Sequence, residues 1–144
     1  MLDEPREVLE DFALTAMKRK AEELGVKGVA NVLIIEDGQT DIRPVFRPCG
    51  RIERDPDPSR DKPDQKDTGT NYLSVVWTKN AEVISTLQPE SGKGIREPKF
   101  GEFGLRGCLR TRTMTAYIQT SFSGGTEDQD TEIALAGMKA LHEA

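Results

Sequence analysis

Three arginines lie within seven residues, and their spacing suggests that they bind an anion. Arg106, Arg110 and Arg112 come just before the clearest strand pattern of the chain. If they lie on a strand themselves, Arg110 and Arg112 point to the same side of it. Two guanidinium groups on one side can hold a carboxylate, and Lys79 could lie nearby. We therefore predict that Lys79, Arg106, Arg110 and Arg112 bind a ligand; pairing of the arginines with acidic side chains at a subunit interface is the alternative.

A Gly-Gly turn before the last helix is the second candidate. Free backbone N–H groups at a helix N-terminus can bind an anion, but three acidic residues of the first turn would repel it. Thr126 and Gln129 have the spacing of a capping box, in which each side chain binds the other residue's backbone N–H. We therefore predict a structural turn and helix cap made by Ser123, Gly124, Gly125, Thr126 and Gln129.

Other catalytic and metal chemistry finds little support. The single histidine, His142, lies two residues before the final position, where we expect it to be exposed, and a Ser-His-Asp arrangement with Ser123 is not credible. Cys49 and Cys108 have no metal or redox spacing, and we predict two free thiols. No phosphate-binding or dinucleotide motif is present. Tyr72 and Trp77 could line a pocket, but core packing is the expectation.

Composition limits the partners. The chain has 144 residues and a net charge of −5, with 35% hydrophobic and 31% charged residues. The negative charge argues against an electrostatically driven nucleic-acid binder. No apolar run approaches the roughly 18 residues of a membrane span, and the first residues lack a secretory pattern. We expect a cytoplasmic protein with one domain over residues 1–144, which binds neither nucleic acid nor membrane.

The hydrophobic periodicity predicts an α+β fold. Helices are expected over residues 6–24 and 70–87 and from residue 127 onward, and strands over 29–36, 40–47, 105–110 and 114–122. Residues 48–69, rich in proline and charge, predict a solvated, mobile surface loop, with a lid or an oligomer contact as the alternative. Residues 88–104 predict a glycine-rich loop. This order predicts an antiparallel sheet flanked by helices.

Two details of this pattern can be checked. In the last strand, Met114, Ala116, Ile118, Thr120 and Phe122 alternate with polar residues, so we expect the first face to meet helices and the second to be wetter. Gly137 in the middle of the last helix costs about 1 kcal/mol relative to alanine. A close approach to the sheet or to another helix is the simplest compensation.

Residues 123–137 resemble the C-terminal signature of the haem-degrading/GlcG-like family. That signature is a Ser-Gly-Gly turn, a short acidic stretch with Gln-Asp, and an Ile-Ala-x-Ala-Gly helix, and it matches here nearly position by position. Leu24-Gly25 and Glu36-Asp37-Gly38 fit the family's opening more loosely. Lys79 falls where the family has a lysine-alanine pair on its second helix. The family includes haem-binding sensor proteins and the C-terminal domain of some corrinoid adenosyltransferases.

The resemblance implies a profilin-like fold, a homo-oligomer such as an octamer, and haem as a cofactor. The long 48–69 loop and the basic stretch from Arg106 to Met114 depart from the family pattern. Three functions remain open. The first is an oligomeric haem- or small-molecule-binding protein. The second is an enzyme that acts on a small carboxylated or carbonyl substrate by acid/base chemistry. The third is a structural or assembly module.

Overall fold

Three helices and a four-stranded antiparallel sheet form the protein. The computed structural model describes residues 4–143. The helices are α1 Arg6–Leu24, α2 Tyr72–Thr86 and α3 Glu127–Glu143. The strands are β1 Gly28–Glu36, β2 Val45–Cys49, β3 Glu53–Arg54, β4 Thr70–Asn71, β5 Cys108–Arg112 and β6 Ala116–Ser123. The predicted α+β class, an antiparallel sheet flanked by helices, is confirmed.

The main sheet has the strand order β2-β1-β6-β5, and helices cover both of its faces. On one face, Ala30, Val32, Ile118 and Phe122 are fully buried against α1 and α3 in the main core. On the other face, Val29 packs with residues of α2 in a smaller core. β3 and β4 form a separate two-stranded ribbon. Within residues 4–143, no helix combines the length and the apolar character needed to cross a bilayer.

The second face of β6 is dry at Gln119 and Ser121, so the prediction of a wetter face is wrong for these two residues, whereas Tyr117 on the same face is exposed. Gln119 and Ser121 have no exposed surface because α2 covers them. Asn80 on α2 donates to the Ser121 hydroxyl (2.7 Å), and Ser121 donates in turn to Asn31 (3.1 Å). Gln119 donates to Asn80 (3.0 Å). The polar alternation of β6 reflects this buried hydrogen-bond network. It gives partners to the side chains of Asn31, Asn80 and Ser121, which lowers the cost of burying them, whereas the Gln119 Oε1 atom has no hydrogen-bond partner.

Two strands are displaced from their predicted positions. β2 covers Val45–Cys49 instead of 40–47, and its pairing with β1 stops at Val32 and Val45. The chain turns at Asp37 and Gly38 as predicted, but residues 37–44 form a longer connection than a tight hairpin. Pro48 is tolerated within β2 because that strand lies at the sheet edge. β5 covers Cys108–Arg112 instead of 105–110.

Two apolar helix residues lie outside the core, and Met114 does not lie on the strand face that was predicted to meet helices. Phe12 on α1 and Leu135 on α3 are about two-fifths exposed (40% and 41%), so neither belongs to the core. Met114 precedes β6 and is almost fully exposed. In α1 and α3, the buried face is therefore narrower than the distribution of apolar residues around the helix suggests.

Gly137 lies where α3 meets α1. A Cβ atom at this position would be 2.7 Å from the Met17 Cγ atom, which is closer than real contacts allow. The predicted close approach to another helix is therefore present, and it explains why glycine occupies the middle of α3.

The two long loops contain ordered ion pairs. In the 48–69 loop, which carries β3 and a short 3-10 turn at Pro58–Arg60, both terminal nitrogens of Arg54 donate to Asp67 (2.7 and 2.9 Å). In the 88–104 loop, Arg96 donates to both oxygens of Glu102 (2.7 and 3.0 Å) and also to Ser85 on α2. The 48–69 segment therefore has more internal structure than the solvated, mobile loop that we predicted.

Low pH should break the ion pairs that hold these two loops in place. Arg54 holds the pKa of Asp67 well below its usual range, and Arg96 lowers the pKa of Glu102 to about 2. A lowered pKa in the folded state contributes stability above the ordinary pKa, which is lost as the pH falls through the folded value. Pepsin should therefore cut the 88–104 loop progressively faster between pH 4 and pH 2. A Glu102→Gln variant should be cut readily throughout this range; equal pH profiles for the two proteins would contradict the assignment.

Candidate functional site

A buried ion pair joins α2 to the beginning of α3. The Lys79 ammonium donates to the Asp130 carboxylate (2.8 Å) and to the backbone oxygen of Phe122 (2.7 Å). The two charged side chains are only 2% and 5% exposed. The other Asp130 oxygen accepts the N–H of Gly125 (2.8 Å). The pair therefore fixes α2, the end of β6, the Gly-Gly turn and α3 to one another.

Gly107 makes room for this pair. A Cβ atom there would lie 2.7 Å from the Lys79 ammonium nitrogen and 2.9 Å from both the Asp130 Cβ and the Phe122 backbone oxygen. Gly107 also has a φ of +122°, in the region that favours glycine. Both the space and the backbone conformation therefore require glycine beside the ion pair.

Burial dominates the electrostatics of Asp130. Loss of solvent raises the pKa of the Asp130 carboxyl above its usual value, and the charge and hydrogen bond of Lys79 offset part of this effect. Backbone N–H groups of the Gly-Gly turn lower the pKa further. Asp130 therefore takes up a proton more readily than a surface aspartate would.

The ion pair lies in the wall of a cleft of about 470 Å³, which we call the central cleft. The 48–69 loop and β4 supply one side of the cleft, with Arg54, Arg60 and Thr70. The other walls come from α2, from Leu105 and from the Gly-Gly turn with the start of α3. Their lining residues are Tyr72, Val75, Lys79, Leu105, Ser123, Gly124, Gly125, Thr126, Glu127, Gln129 and Asp130.

Tyr72 contacts Arg51 at this cleft. Its hydroxyl accepts a hydrogen bond from Arg51 (3.3 Å), and the Arg51 guanidinium carbon lies 5.1 Å from the ring centre. Trp77, the other aromatic residue considered from the sequence, is half-buried and packs edge-to-face on Phe46 instead. Of these two aromatic side chains, only Tyr72 lines the central cleft.

The structure divides the predicted ligand-binding cluster. Lys79 lines the central cleft, whereas Arg106, Arg110 and Arg112 do not. Arg106 binds Asp128 (2.6 Å), and Arg112 binds both oxygens of Asp37 (2.7 Å each). This pairing occurs within one chain.

Arg110 and Arg112 do share one side of β5, as predicted. Their guanidinium carbons lie 3.8 and 4.4 Å from the centre of the Tyr117 ring. Arg110 also points a guanidinium N–H at the backbone oxygen of Val83 near the end of α2 (3.4 Å). Cations are favourable at a helix C-terminus. Ligand binding by the three arginines stays a prediction.

The turn before α3 has both hydrogen bonds of a capping box. The Thr126 hydroxyl accepts the N–H of Gln129 (3.2 Å), and the Gln129 side chain accepts the N–H of Thr126 (2.9 Å). A Cβ atom at Gly124 would meet the backbone of Lys27 and Gly28, so the turn packs tightly against the start of β1.

Asp130 is the site residue that sequence reasoning missed. From the sequence, we interpreted it only as one of the three acidic residues in the first turn that would repel an anion. It lies on the same face of α3 as the buried residues Ile133, Ala134 and Gly137. A charged residue on the apolar face of a helix is the sequence pattern that could have indicated a buried ion pair, because burying a charge without a partner costs much free energy.

The cysteines and the histidine lie away from the central cleft. Cys49 and Cys108 are free and buried, and burial raises the pKa of both thiols. His142 is exposed in the last turn of α3. Among residues 4–143, no group of three or more His, Cys, Asp or Glu residues could hold a metal ion.

Two solved structures share this fold. The crystal structure of the PduOC:heme complex is 14% identical, with a TM-score of 0.58 over 90% of this chain and 89% of that chain. The Klebsiella pneumoniae protein ORFY, of family DUF336, is 16% identical, with a TM-score of 0.51 over 93% and 88%. No protein-family model and no curated protein matches the sequence. The predicted resemblance to the haem-degrading/GlcG-like family is confirmed at the level of the fold.

The central cleft does not fit haem. A haem iron takes an axial His, Cys, Met or Tyr in an apolar slot. Tyr72 is the only such residue among those that line the central cleft, and its hydroxyl already accepts a hydrogen bond from Arg51. Most of the lining residues are polar or charged.

Proposed function

We propose that the protein binds a small molecule in the central cleft. The observation that carries this proposal is the buried Lys79–Asp130 pair in the cleft wall. Removing two charges from water costs several kcal/mol per ion, so a buried pair is weak evidence of a purely stabilising role. A carboxyl group with a raised pKa beside a charged partner in a cleft is typical of a functional site.

A cleft-filling variant tests this proposal. Val75 lines the central cleft, whereas the neighbouring Ser74 is exposed outside it. In a screen of small-molecule fragments by protein NMR, the wild type should show amide shifts at Gly107, Gly124 and Gly125. A Val75→Trp variant should lose these shifts, and Ser74→Trp should keep them. Fragment binding that leaves these three amides unchanged, or that survives in the Val75→Trp variant, would overturn the proposal.

Haem binding is the second candidate, because a protein of the same fold was crystallised as a heme complex. Since the central cleft does not fit haem, we propose that any haem is held at an exposed surface or between copies of the chain. His142 and Met114 are the exposed histidine and methionine among residues 4–143. Titration with haemin should then give a saturable Soret shift that His142→Ala or Met114→Ala removes. The absence of a saturable shift at micromolar protein would exclude this candidate.

The enzyme hypothesis rests on the same ion pair. Asp130, with its raised pKa, would move the proton, and Lys79 would stabilise negative charge on the substrate.

A structural or assembly module is the third hypothesis, and it would leave the cleft without a ligand. The fragment screen separates this module from both ligand-binding hypotheses.

Self-association is a separate proposal. Phe100 and Phe103 in the 88–104 loop and Met114 before β6 are large apolar residues that are more than half exposed. Such residues are common at interfaces between subunits. Light scattering after size exclusion should give a mass that is a multiple of 16.0 kDa. A monomer at all concentrations would contradict the proposal.

A further inference from the structure

We infer that the ligand of the central cleft carries an oxyanion, a carboxylate or a phosphate, which binds between Arg60 and Lys79. This inference rests on the proposed function, because it concerns the same cleft. The inference follows from the hydrogen bonds that the lining residues can still make. Among these residues, donors without partners outnumber free acceptors.

Lys79 retains one donor. An ammonium group has three N–H donors, and Lys79 uses two of them, for Asp130 and for the backbone oxygen of Phe122. The side chain is almost fully buried, so its remaining contact with the outside is through the cleft that it lines. An oxygen atom of a ligand would complete its set of three hydrogen bonds.

Tyr72 adds one more donor. Arg54 uses its two terminal nitrogens on Asp67, and its Nε atom has no hydrogen-bond partner but is buried, so Arg54 contributes its charge to the cleft and not a free N–H. The Tyr72 oxygen accepts from Arg51, which leaves its own O–H available to donate. Both residues line the central cleft, Arg54 from the 48–69 loop and Tyr72 from α2.

Arg60 supplies the exposed cation. Its side chain is 57% exposed, and its nearest carboxylate oxygen, on Asp57, lies 3.7 Å away. That distance exceeds hydrogen-bond range, so the planar guanidinium can still bind an oxyanion through two parallel hydrogen bonds.

The acceptors of the cleft are largely occupied. Asp130 uses one carboxylate oxygen for Lys79 and the other for Gly125. Glu127 accepts the backbone N–H of Arg106 through one oxygen, which leaves its other oxygen as the free carboxylate acceptor of the cleft. The lining residues therefore hold three cations and two carboxylates, and the unused groups are mainly donors. A molecule rich in acceptors and negatively charged complements this arrangement.

Paired probes of the same shape test the inference. Isophthalate carries two carboxylates, and isophthalamide is its neutral counterpart. At constant ionic strength, isophthalate or inorganic phosphate should shift the NMR signals of Gly124 and Gly125, and isophthalamide should bind at least tenfold more weakly. Response to one of these two anions and not the other distinguishes a carboxylate ligand from a phosphate ligand. Arg60→Gln should weaken anion binding about tenfold, while Arg43→Gln, at an exposed arginine outside the cleft, should have no effect.

The outcomes separate this inference from the proposed function. If isophthalamide shifts the cleft amides as strongly as isophthalate does, the ligand class is wrong and the binding cleft stands. The same conclusion follows if Arg60→Gln, shown by circular dichroism to be folded, binds the anions normally. If neither these probes nor any fragment shifts the cleft amides, both the inference and the proposed function are wrong.

Discussion

A Gly107→Ala variant should lose about 4 kcal/mol of unfolding free energy, the range expected when a buried ion pair is broken. The added methyl group would occupy the space of the Lys79 ammonium group, which lies 2.7 Å from the position of a Cβ atom. The Phe122 backbone oxygen on the other side, at 2.9 Å, belongs to β6 and cannot yield easily. Urea unfolding followed by circular dichroism measures the loss.

Gly101→Ala is the matched control for this variant. Gly101 also has a positive φ of +93°, but nothing lies within 4 Å of a Cβ atom built there. Its substitution should cost about 1 to 2 kcal/mol, the usual cost of a strained backbone conformation alone. The difference between the two variants isolates the close approach to the ion pair. Equal losses would show that the ion pair tolerates the methyl group.

The helices of this fold could be predicted because the sequence patterns that indicate them involve residues close together in the chain. The apolar spacing within α1 and α2 and the capping box of α3 each depend on residues a few positions apart. The glycine in the middle of α3 could also be interpreted, since a helix glycine predicts close packing, here against Met17. Strand bounds were less accurate, because β2 begins where its pairing with β1 begins, and pairing between strands is not a local property.

The buried polar residues could not be assigned from the sequence. Gln119 and Ser121 alternate with apolar residues, a pattern that usually indicates a face in water, and only the position of α2 makes that face dry. The partners of the arginine cluster could not be assigned from the sequence for a similar reason. Arg112 and its partner Asp37 are 75 residues apart, so their pairing depends on the topology of the sheet.

The ion pair gives a physical meaning to the family resemblance. Lys79 lies about where the resemblance implies a lysine on the second helix, and Asp130 ends the Gln-Asp pair of the 123–137 segment that carries the resemblance. The structure brings these two separate segments, 51 residues apart, into one hydrogen bond. The Gly-Gly turn takes part in the same contact, because the Gly125 N–H also donates to Asp130. These elements therefore act together to fix one wall of the central cleft.

Lys79→Met should be the most destabilising substitution of a polar residue at this site, with a loss of about 3 to 5 kcal/mol at pH 7. The methionine keeps much of the volume, but it leaves the Asp130 carboxylate buried without its counter-charge. Asp130→Asn in the same chain removes that charge and keeps an oxygen for the Gly125 N–H. The double variant should therefore recover most of the loss. Urea unfolding of the wild type, both single variants and the double variant measures the coupling.

The pH dependence of the Lys79→Met variant distinguishes this electrostatic cause from simple loss of packing. Burial already raises the pKa of Asp130 in the wild type, and removing the Lys79 charge raises it further. A carboxyl group with a raised pKa in the folded state contributes most stability below its ordinary pKa, and this contribution is lost as the pH rises through the folded value. Lys79→Met should therefore be more stable near pH 4 than at pH 7 relative to the double variant, which has no carboxyl group at this position. A constant difference between the two proteins across this range would mean that Asp130 does not stay buried and charged once Lys79 is gone.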